Sequence, residues 1–408
     1  MLAFCKINQE YEMFLHFSVN NYRSIKDTVT FSMACGAKDN DNFFSIGKYD
    51  LLLSAVIYGA NASGKSNLLR AMAFMRNMVL NKDKVIQSTD TLAYDPFRLN
   101  TSTKDASSTF EMVFFIAEVK YRYGFEADKT TVYSEWLFED ASGRKEAKLF
   151  YRDADEAHYV NKTRFQEGYT FFDATSSKIK VSKNQLFLWK CDQNDGEIAK
   201  SILQWFKGFN FIDGIEHRGY SNYTMKKMED SDFKNEILKL VKTADIGIED
   251  IRFEKEKSVI KTYHTVFDEE NKEVGKEIFE LDHEESNGTQ KLFKILTSLL
   301  DTLQEGKILL IDALDAALHP MLTQHLIKLF HDKNINTKNA QLIFATHNTN
   351  LLKPQMFRRD QIRFSQKDKY GATDVYSLAD IKNVRKTEDF ESQYLFGKYG
   401  GVPYILKF

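Results

Sequence analysis

The sequence predicts an α/β fold: a buried sheet that carries a phosphate-binding loop, an antiparallel β lobe beside it, and an inserted helical arm. Three observations lead there. The apolar run Leu51 to Tyr58 runs into GANASGKS (Gly59 to Ser66) and then into the amphipathic segment Ser66 to Val79. A continuous apolar run is the pattern of a strand buried on both faces, and the segment after the loop has helical periodicity. From Phe97 to about Ile179 the chain is rich in Tyr, Phe and Val with polar turns between, and from about Ser182 to Lys242 it turns helical.

Each element follows in order. FLHFSV (Phe14 to Val19) and TVTFSM (Thr28 to Met33) alternate like the two strands of a hairpin, with NNYRSIKD between them. After the loop and its helix, FEMVFFIA, KYRYGFEA, TVYSEWLFE and AKLFYRD read as strands of an antiparallel sheet packed beside the core. QLFLWKCDQNDGEIAKSILQWFKGF and DFKNEILKLVKTA form the helical insert, and IEDIRFEKE and IKTYHTVFD return the chain to the core. The expected divisions are residues 1–96 (first strands and phosphate loop), 97–180 (β lobe), 181–250 (helical arm or lid), 251–365 (second half of the core) and 366–408 (tail). No heptad run supports a long coiled coil, and no internal repeat is present.

Composition narrows the function classes. The chain has 408 residues, 43% hydrophobic and 28% charged, and a net charge of -2. That length suggests two or three lobes, and that charge gives no global basic field to attract nucleic acid or an anionic membrane. No apolar run approaches a membrane span. MLAFCKINQEYEM lacks the apolar core of a signal peptide; because Met13 opens the first strand, the preceding dozen residues are expected to be an extension or a misassigned start. Cys5, Cys35 and Cys191 are odd in number and share no C-x-x-C spacing. This argues against a disulfide scaffold or a structural zinc and fits a reducing cytoplasm.

G-x-x-x-x-G-K-S is a phosphate-binding pattern. Gly59 and Gly64 let backbone N–H groups curl around the phosphates, Lys65 reaches the same oxygens, and the Ser66 hydroxyl suits Mg²⁺. Strand, loop and helix together also aim the positive helix terminus at the anion. Later, KILLIDALD (Lys307 to Asp315) is a buried strand ending in Asp312, placed to hold Mg²⁺ through water opposite Ser66. QLIFATHNTNLL (Gln341 to Leu352) is another, ending at Thr346 and His347, where an imidazole can hydrogen-bond a γ-phosphate. Between them, EESNGTQKLFKILTSLL (Glu284 to Leu300) opens an amphipathic helix with S-x-G-x-Q. Ordinary capping accounts for Ser286 and Gly288; so does an anion site, since a hydroxyl, a glycine N–H and a helix N-terminus all favour negative charge.

These motifs, in this order, resemble those of the RloA-like ABC-type ATPases of bacterial anti-phage cassettes, relatives of the OLD, PtuA and AriA ATPases in the SMC and RecF branch. The resemblance runs from FSVNNYRSI through GANASGKS, SNGTQ, LLIDALDAALHP and IFATHNTNLL to RRDQIRF, VYSLADIKNVRK and YLFGKYGGVP. It implies an ABC-type P-loop head, ATP and Mg²⁺ as ligands, and a homodimer or larger homo-oligomer that sandwiches ATP between heads. Carried over to this chain, Gly59, Asn61, Ala62, Ser63, Gly64, Lys65, Ser66 and Asn67 hold phosphates, with Mg²⁺ on Ser66 and Asp312. Ser286 and Gly288 act on the partner's nucleotide, Asp315 lies near the dimer seam, and His347 is the switch histidine. Arg23 and Ser24 match a segment near the nucleotide, and Asn184 and Gln185 are the candidates for the glutamine loop. The chain departs from the usual L-S-G-G-Q at Asn287 and Thr289.

The larger departure is Ala313. The family has Glu after the Walker B Asp, where it polarises the attacking water, and a methyl group cannot do so. The resemblance therefore implies a chain that binds ATP, pairs on it and hydrolyses it very slowly. A substitution that traps the ATP state and a natural degenerate switch both fit; retention of the other motifs favours the trap.

Two functions are weighed. One is an ATP-controlled sensor or scaffold of phage defence that governs a nuclease or toxin encoded nearby, with DNA or a phage product as trigger. About 60 residues follow His347, fewer than the ~100 of a usual domain, and they hold no D-x-D; the effector is thus expected to act in trans. The alternative is a RecF-type DNA-repair ATPase, with Lys226, Lys227, Lys239 and Lys242 lining a basic groove, although acidic residues are interleaved there. A transporter subunit fits less well, as no membrane-partner surface is evident. His283, Glu284 and Glu285 have metal-ligand chemistry, but adjacent residues diverge. The 33 Phe residues read as core packing, and YLFGKYGGVPYIL as a docked tail or a partner-binding one.

Overall fold

The structure is a computed structural model and describes residues 12–36, 41–213, 226–244, 247–254, 259–385 and 387–403. The first eleven residues, Cys5 among them, and the end of the tail lie outside that set.

The chain begins with β1 (Glu12–Asn20), β2 (Val29–Ser32), the hairpin β3 (Phe43–Ile46) and β4 (Tyr49–Leu52), then β5 (Ser54–Tyr58) and α1 (Lys65–Val79). Next come β6 (Ser108–Ile116), β7 (Val119–Ala127), β8 (Val132–Asp140), β9 (Ala147–Asp153) and β10 (Tyr159–Val160). They form an antiparallel sheet in the order β10-β9-β8-β7-β6-β1-β2, with β1 and β2 paired as the alternation predicts. A short helix α2 (Gln166–Tyr169), the pair β11 (Phe172–Asp173) and β12 (Lys178–Ile179), and helices α3 (Phe187–Asp192) and α4 (Glu197–Gly208) lead to β13 (Phe209–Asp213).

After α5 (Ser231–Ala244), a three-stranded antiparallel sheet follows: β14 (Ile248–Glu254), β15 (Val259–Phe267) and β16 (Glu273–Glu280). Then come α6 (Asn287–Glu305), β17 (Ile308–Asp312), α7 (Pro320–His331), β18 (Gln341–Ala345), β19 (Ile362–Lys367), β20 (Thr373–Ser377) and α8 (Phe390–Leu395).

The second large sheet has the order β13-β17-β18-β5-β19-β20 and is parallel up to β19, with β20 antiparallel at its edge. Every residue of β5, β17 and β18 is buried, which is why these strands read as apolar runs rather than alternating ones. Ala55, Ile57, Leu310 and Ile343 face the core shared with α1, α4 and the antiparallel sheet. Val56, Tyr58, Leu309, Ile311 and Phe344 face the core built with α6 and α7. Gln341 stitches the two sheets: its side chain accepts from Phe14 N at 2.7 Å and donates to the Phe14 and Leu52 carbonyls, each at 3.1 Å.

Within the span expected to be an arm, the described helix α4 packs onto the antiparallel sheet. Trp205 and Phe206 of α4 are fully buried, Trp205 stacking 4.2 Å from Phe114 of β6. β13 pairs in parallel register with β17, from Phe209 against Ile308 to Asp213 against Asp312. Residues 214–225 lie outside the described set.

Candidate nucleotide-binding site

The loop Gly59–Ser66 leaves β5 at the carboxyl edge of the parallel sheet and enters α1. Its shape depends on its glycines. Gly64 has φ +112, and a Cβ there would lie 2.2 Å from Thr373 Oγ1; a Cβ on Gly59 would lie 2.3 Å from the Ser365 carbonyl oxygen. Ala62 holds a left-handed φ of +61, a conformation that costs a non-glycine residue ~1–3 kcal/mol and concentrates at functional sites. Gly64 caps α1 without a side-chain hydrogen bond, and no acidic residue lies in the first turn. The N–H groups of that turn are thus left to an outside acceptor.

Lys65 is 6% exposed, and its ammonium donates to the carbonyls of Gly59 (2.8 Å) and Ala60 (3.0 Å). Burial pushes it down to about 8 against the opposing pull of Asp312 and Asp315. Ser63 Oγ is buried with no hydrogen-bond partner. Asn61 and Ala62 are exposed at the tip, whereas Ser66 and Asn67 are half-buried.

The Asn-Tyr-Arg-Ser turn supports the loop through Ser24 rather than Arg23. Asn67 Nδ2 donates to Ser24 Oγ at 2.7 Å, and Thr373 Oγ1 lies 2.8 Å from Ser24 Oγ and 3.0 Å from the Ser63 carbonyl. Arg23, at φ +50, is engaged by Asp95, which takes both its Nε (2.7 Å) and, through the backbone carbonyl, its N–H. One edge of the guanidinium expected at the nucleotide is thus held by Asp95, which also pairs with Arg98 at 3.4 Å. Asn184 and Gln185 are likewise committed, donating to the backbone carbonyls of Gln87, Asp90 and Ile86.

At the neighbouring strand ends, Asp312 is 3% exposed and its Oδ2 is buried without a partner. Asp213, its register partner on β13, is paired with Arg70 at 3.0 Å. Ala313 follows at φ +51. Asp315 Oδ1 accepts from Thr346 Oγ1 at 2.6 Å and lies 3.4 Å from the His347 N–H, tying the ends of β17 and β18 together. Tyr58 OH donates to the Asn348 carbonyl at 3.0 Å and fixes the same turn. His347 is exposed as a residue, yet partial desolvation of its ring, and next Lys65, lower its pKa from the ordinary histidine value against the pull of Asp315 and Asp312.

The residues present fit Mg²⁺ and a polyphosphate. An orphaned carboxylate oxygen, a serine hydroxyl at the first turn of α1 and a cationic loop form the oxygen-rich, partly solvated setting that Mg²⁺ takes with phosphate ligands. Among the described residues no group of three His, Cys, Asp or Glu gathers as a metal cluster. Glu285 instead accepts from His264 Nε2 at 2.7 Å, and Glu284 from the Glu280 N–H.

The S-N-G-T-Q segment opens α6 as a capped helix: Ser286 Oγ accepts from Thr289 N at 3.1 Å. Ser286 and Asn287 are exposed. Gly288 abuts the turn after β17, where a Cβ would lie 3.0 Å from the Ala317 carbonyl. Sequence reasoning missed Lys291, one residue past this motif. It is 2% exposed and donates to the Ala313 carbonyl at 2.8 Å. Its place on the face of the helix that buries Leu292, Ile295 and Leu299 was the signal for it.

The tail docks here too. Tyr394 OH donates to the Gly401 carbonyl at 3.0 Å, Tyr376 OH to the Tyr399 carbonyl at 2.7 Å, and a Cβ on Gly401 would lie 3.7 Å from Gly59 Cα. Elsewhere, Lys227 is paired with Asp301 at 3.0 Å and Lys242 with Glu249 at 2.9 Å, which removes much of the charge expected of a basic groove. Among the described residues no helix is long and apolar enough to cross a membrane.

A protein-family profile described as "AAA domain, putative AbiEii toxin, Type IV TA system" matches residues 54–353. Among solved structures, the chain is similar to the SMC head domain from Thermotoga maritima, with 14% identity, 89% of this chain and 98% of that one covered, and a TM-score of 0.40. It is also similar to the recombination mediator protein RecF with ATP (14% identity, 90% and 98% covered, TM-score 0.33). A third is cbiO1 from Clostridium perfringens, part of an ABC transporter complex (11% identity, 95% and 92% covered, TM-score 0.34). Likenesses this distant do not bear on what the chain does. No curated protein matches it.

Proposed function

The chain belongs to this AAA-domain family, and from that premise we propose that it is an ATP-binding head that pairs on Mg²⁺-ATP and turns it over very slowly. The observation that carries the reading is the combination at the loop: unclaimed N–H groups at the start of α1, Lys65 curled onto the loop's own carbonyls, and Asp312 Oδ2 buried without a partner. Each of these groups gains a partner when a metal–polyphosphate enters.

In this reading, Lys65 swings from the Gly59 and Ala60 carbonyls to the phosphates, and the loop N–H groups and α1 terminus take the remaining oxygens. Ser66 and Asp312 would hold Mg²⁺, which supplies charge neutralisation between phosphate oxygens. His347 offers a ring nitrogen for a hydrogen bond at the far end of the site, with Asp315 orienting its backbone. Ser286, exposed at the tip of α6, and the half-buried Gly288 serve the nucleotide of a second copy. Position 313 is where a side-chain base would orient water, and Ala313 offers none.

We further propose that the ATP-dependent pair controls an effector in bacterial defence. A family described through a toxin–antitoxin system is in keeping with that role; a RecF-type DNA-repair head fits the family equally, and the pairing of Lys227 with Asp301 and of Lys242 with Glu249 is what sets it second here. The binding claim is tested by titrating Mg²⁺-ATP into the wild-type chain and Lys65→Ala. Saturable binding that the substitution weakens by about a hundredfold or more, the scale of losing buried charge-assisted contacts, supports it; equal binding by both refutes it.

A further inference from the structure

Lysine is seldom buried as fully as Lys291 unless it is paired, and here the ammonium meets a backbone carbonyl, that of Ala313, at 2.8 Å. That carbonyl belongs to a residue in the left-handed region, immediately after the orphaned Asp312. Gly288, on the same helix start, packs on the far side of the same turn at Ala317. The first turns of α6 thus grip both ends of the 313–317 turn, while Ser286 and Asn287 project into solvent.

We propose that Lys291 is a positioning residue: it ties the start of α6 to the corner at position 313, so that filling of the phosphate loop and engagement of the exposed Ser286–Asn287 tip report on each other within one chain. The proposal rests on the reading of Gly59–Ser66 as a nucleotide site. The link is physical and short. The Lys291 contact and the Gly288 contact leave the tip and the corner little freedom to move separately, and a contiguous packed path of this kind carries coupling when both ends bias one element. A lysine that serves only to fill its place in the core behaves otherwise: its replacement changes stability and leaves the response of the tip to nucleotide intact.

The test is hydrogen exchange on the full chain, with and without Mg²⁺-ATP, in wild type and Lys291→Met. Peptides covering 59–66 report nucleotide binding, 309–318 the corner, and 284–292 the tip. In wild type, ATP is expected to slow exchange in all three. In the variant, 59–66 still responds, but the response of 284–292 falls by about fivefold or more, the lower end of typical coupling between sites. The thermal midpoint without nucleotide stays unchanged or rises. Lys291→Gln, one bond shorter and unable to reach the Ala313 carbonyl, gives the same comparison if the Met variant does not fold. An unaltered response at 284–292 in these variants, or none there in wild type while 59–66 responds, overturns the proposal. No response at 59–66 in wild type refutes the nucleotide reading itself and takes this inference with it.

Discussion

Asp213 and Asp312 stand opposite each other at the ends of adjacent parallel strands, yet only Asp213 has a cation, Arg70 at 3.0 Å, while Asp312 keeps a buried oxygen without a partner. An unsatisfied buried acceptor is a stability cost of ~1–3 kcal/mol. Asp312→Asn is therefore expected to leave thermal unfolding of the nucleotide-free chain unchanged or shifted upward. The same substitution should erase most of the gain in ATP affinity that Mg²⁺ brings, by about 10- to 100-fold, the scale of disturbing a metal site. Calorimetry paired with ATP titrations in Mg²⁺ or chelator reads both. A destabilised variant that still binds Mg²⁺-ATP normally would make Asp312 a structural residue.

Ala313 already carries a Cβ at φ +51, so Ala313→Glu brings no new backbone strain. Restoring a positioned base is worth about 10²–10⁴-fold in rate, and steady-state phosphate release should rise on that scale. Ala313→Gly is the control: it relieves the left-handed conformation and should stabilise the chain by ~1 kcal/mol without raising turnover. Equal turnover in Glu and Ala forms would mean that position 313 does not face the reacting phosphate.

Burial holds both Lys65 and Lys291 at about 8, below the ~10.4 of an unfolded lysine. Across pH ~8 to ~10.4 the folded chain has released protons that the unfolded chain still binds, so both lysines make stability rise with pH in that window; below it they are charged in both states and contribute no slope. ATP affinity should move the other way, falling as the pH passes above about 8, because the loop needs the Lys65 ammonium. Phosphate bound beside Lys65 raises its pKa in the complex, so the fall begins near the value of the free chain and levels off only above the higher bound value. Thermal unfolding and ATP titrations from pH 7 to 10 check the opposed trends; a flat affinity would remove Lys65 from phosphate contact.

Much of this was legible in the chain because local chemistry and burial agree there. The strand into Gly59–Ser66, and the strands that end at Asp312 and Ala345, are buried on both faces and read as apolar runs, so their carboxyl ends located the loop, the carboxylate and the histidine. What was hidden depends on distant partners. FNFID is short and only half-buried, and nothing within it reveals that it pairs with β17. Arg23, Asn184 and Gln185 had suitable chemistry, but Asp95 and the 86–90 backbone claim them, and no periodicity encodes that. The Gly401 approach to Gly59 is a contact between glycines, which leaves no pattern at all.

The central claim, that ATP joins two heads with Ser286 of one at the loop of the other, is tested most directly by absolute mass from light scattering with and without Mg²⁺-ATP. The account predicts that the particle, built of 47.4 kDa chains, doubles in mass on adding nucleotide, and that neither Lys65→Ala nor Ser286→Arg does so. ATP that binds tightly while the mass stays the same would contradict it.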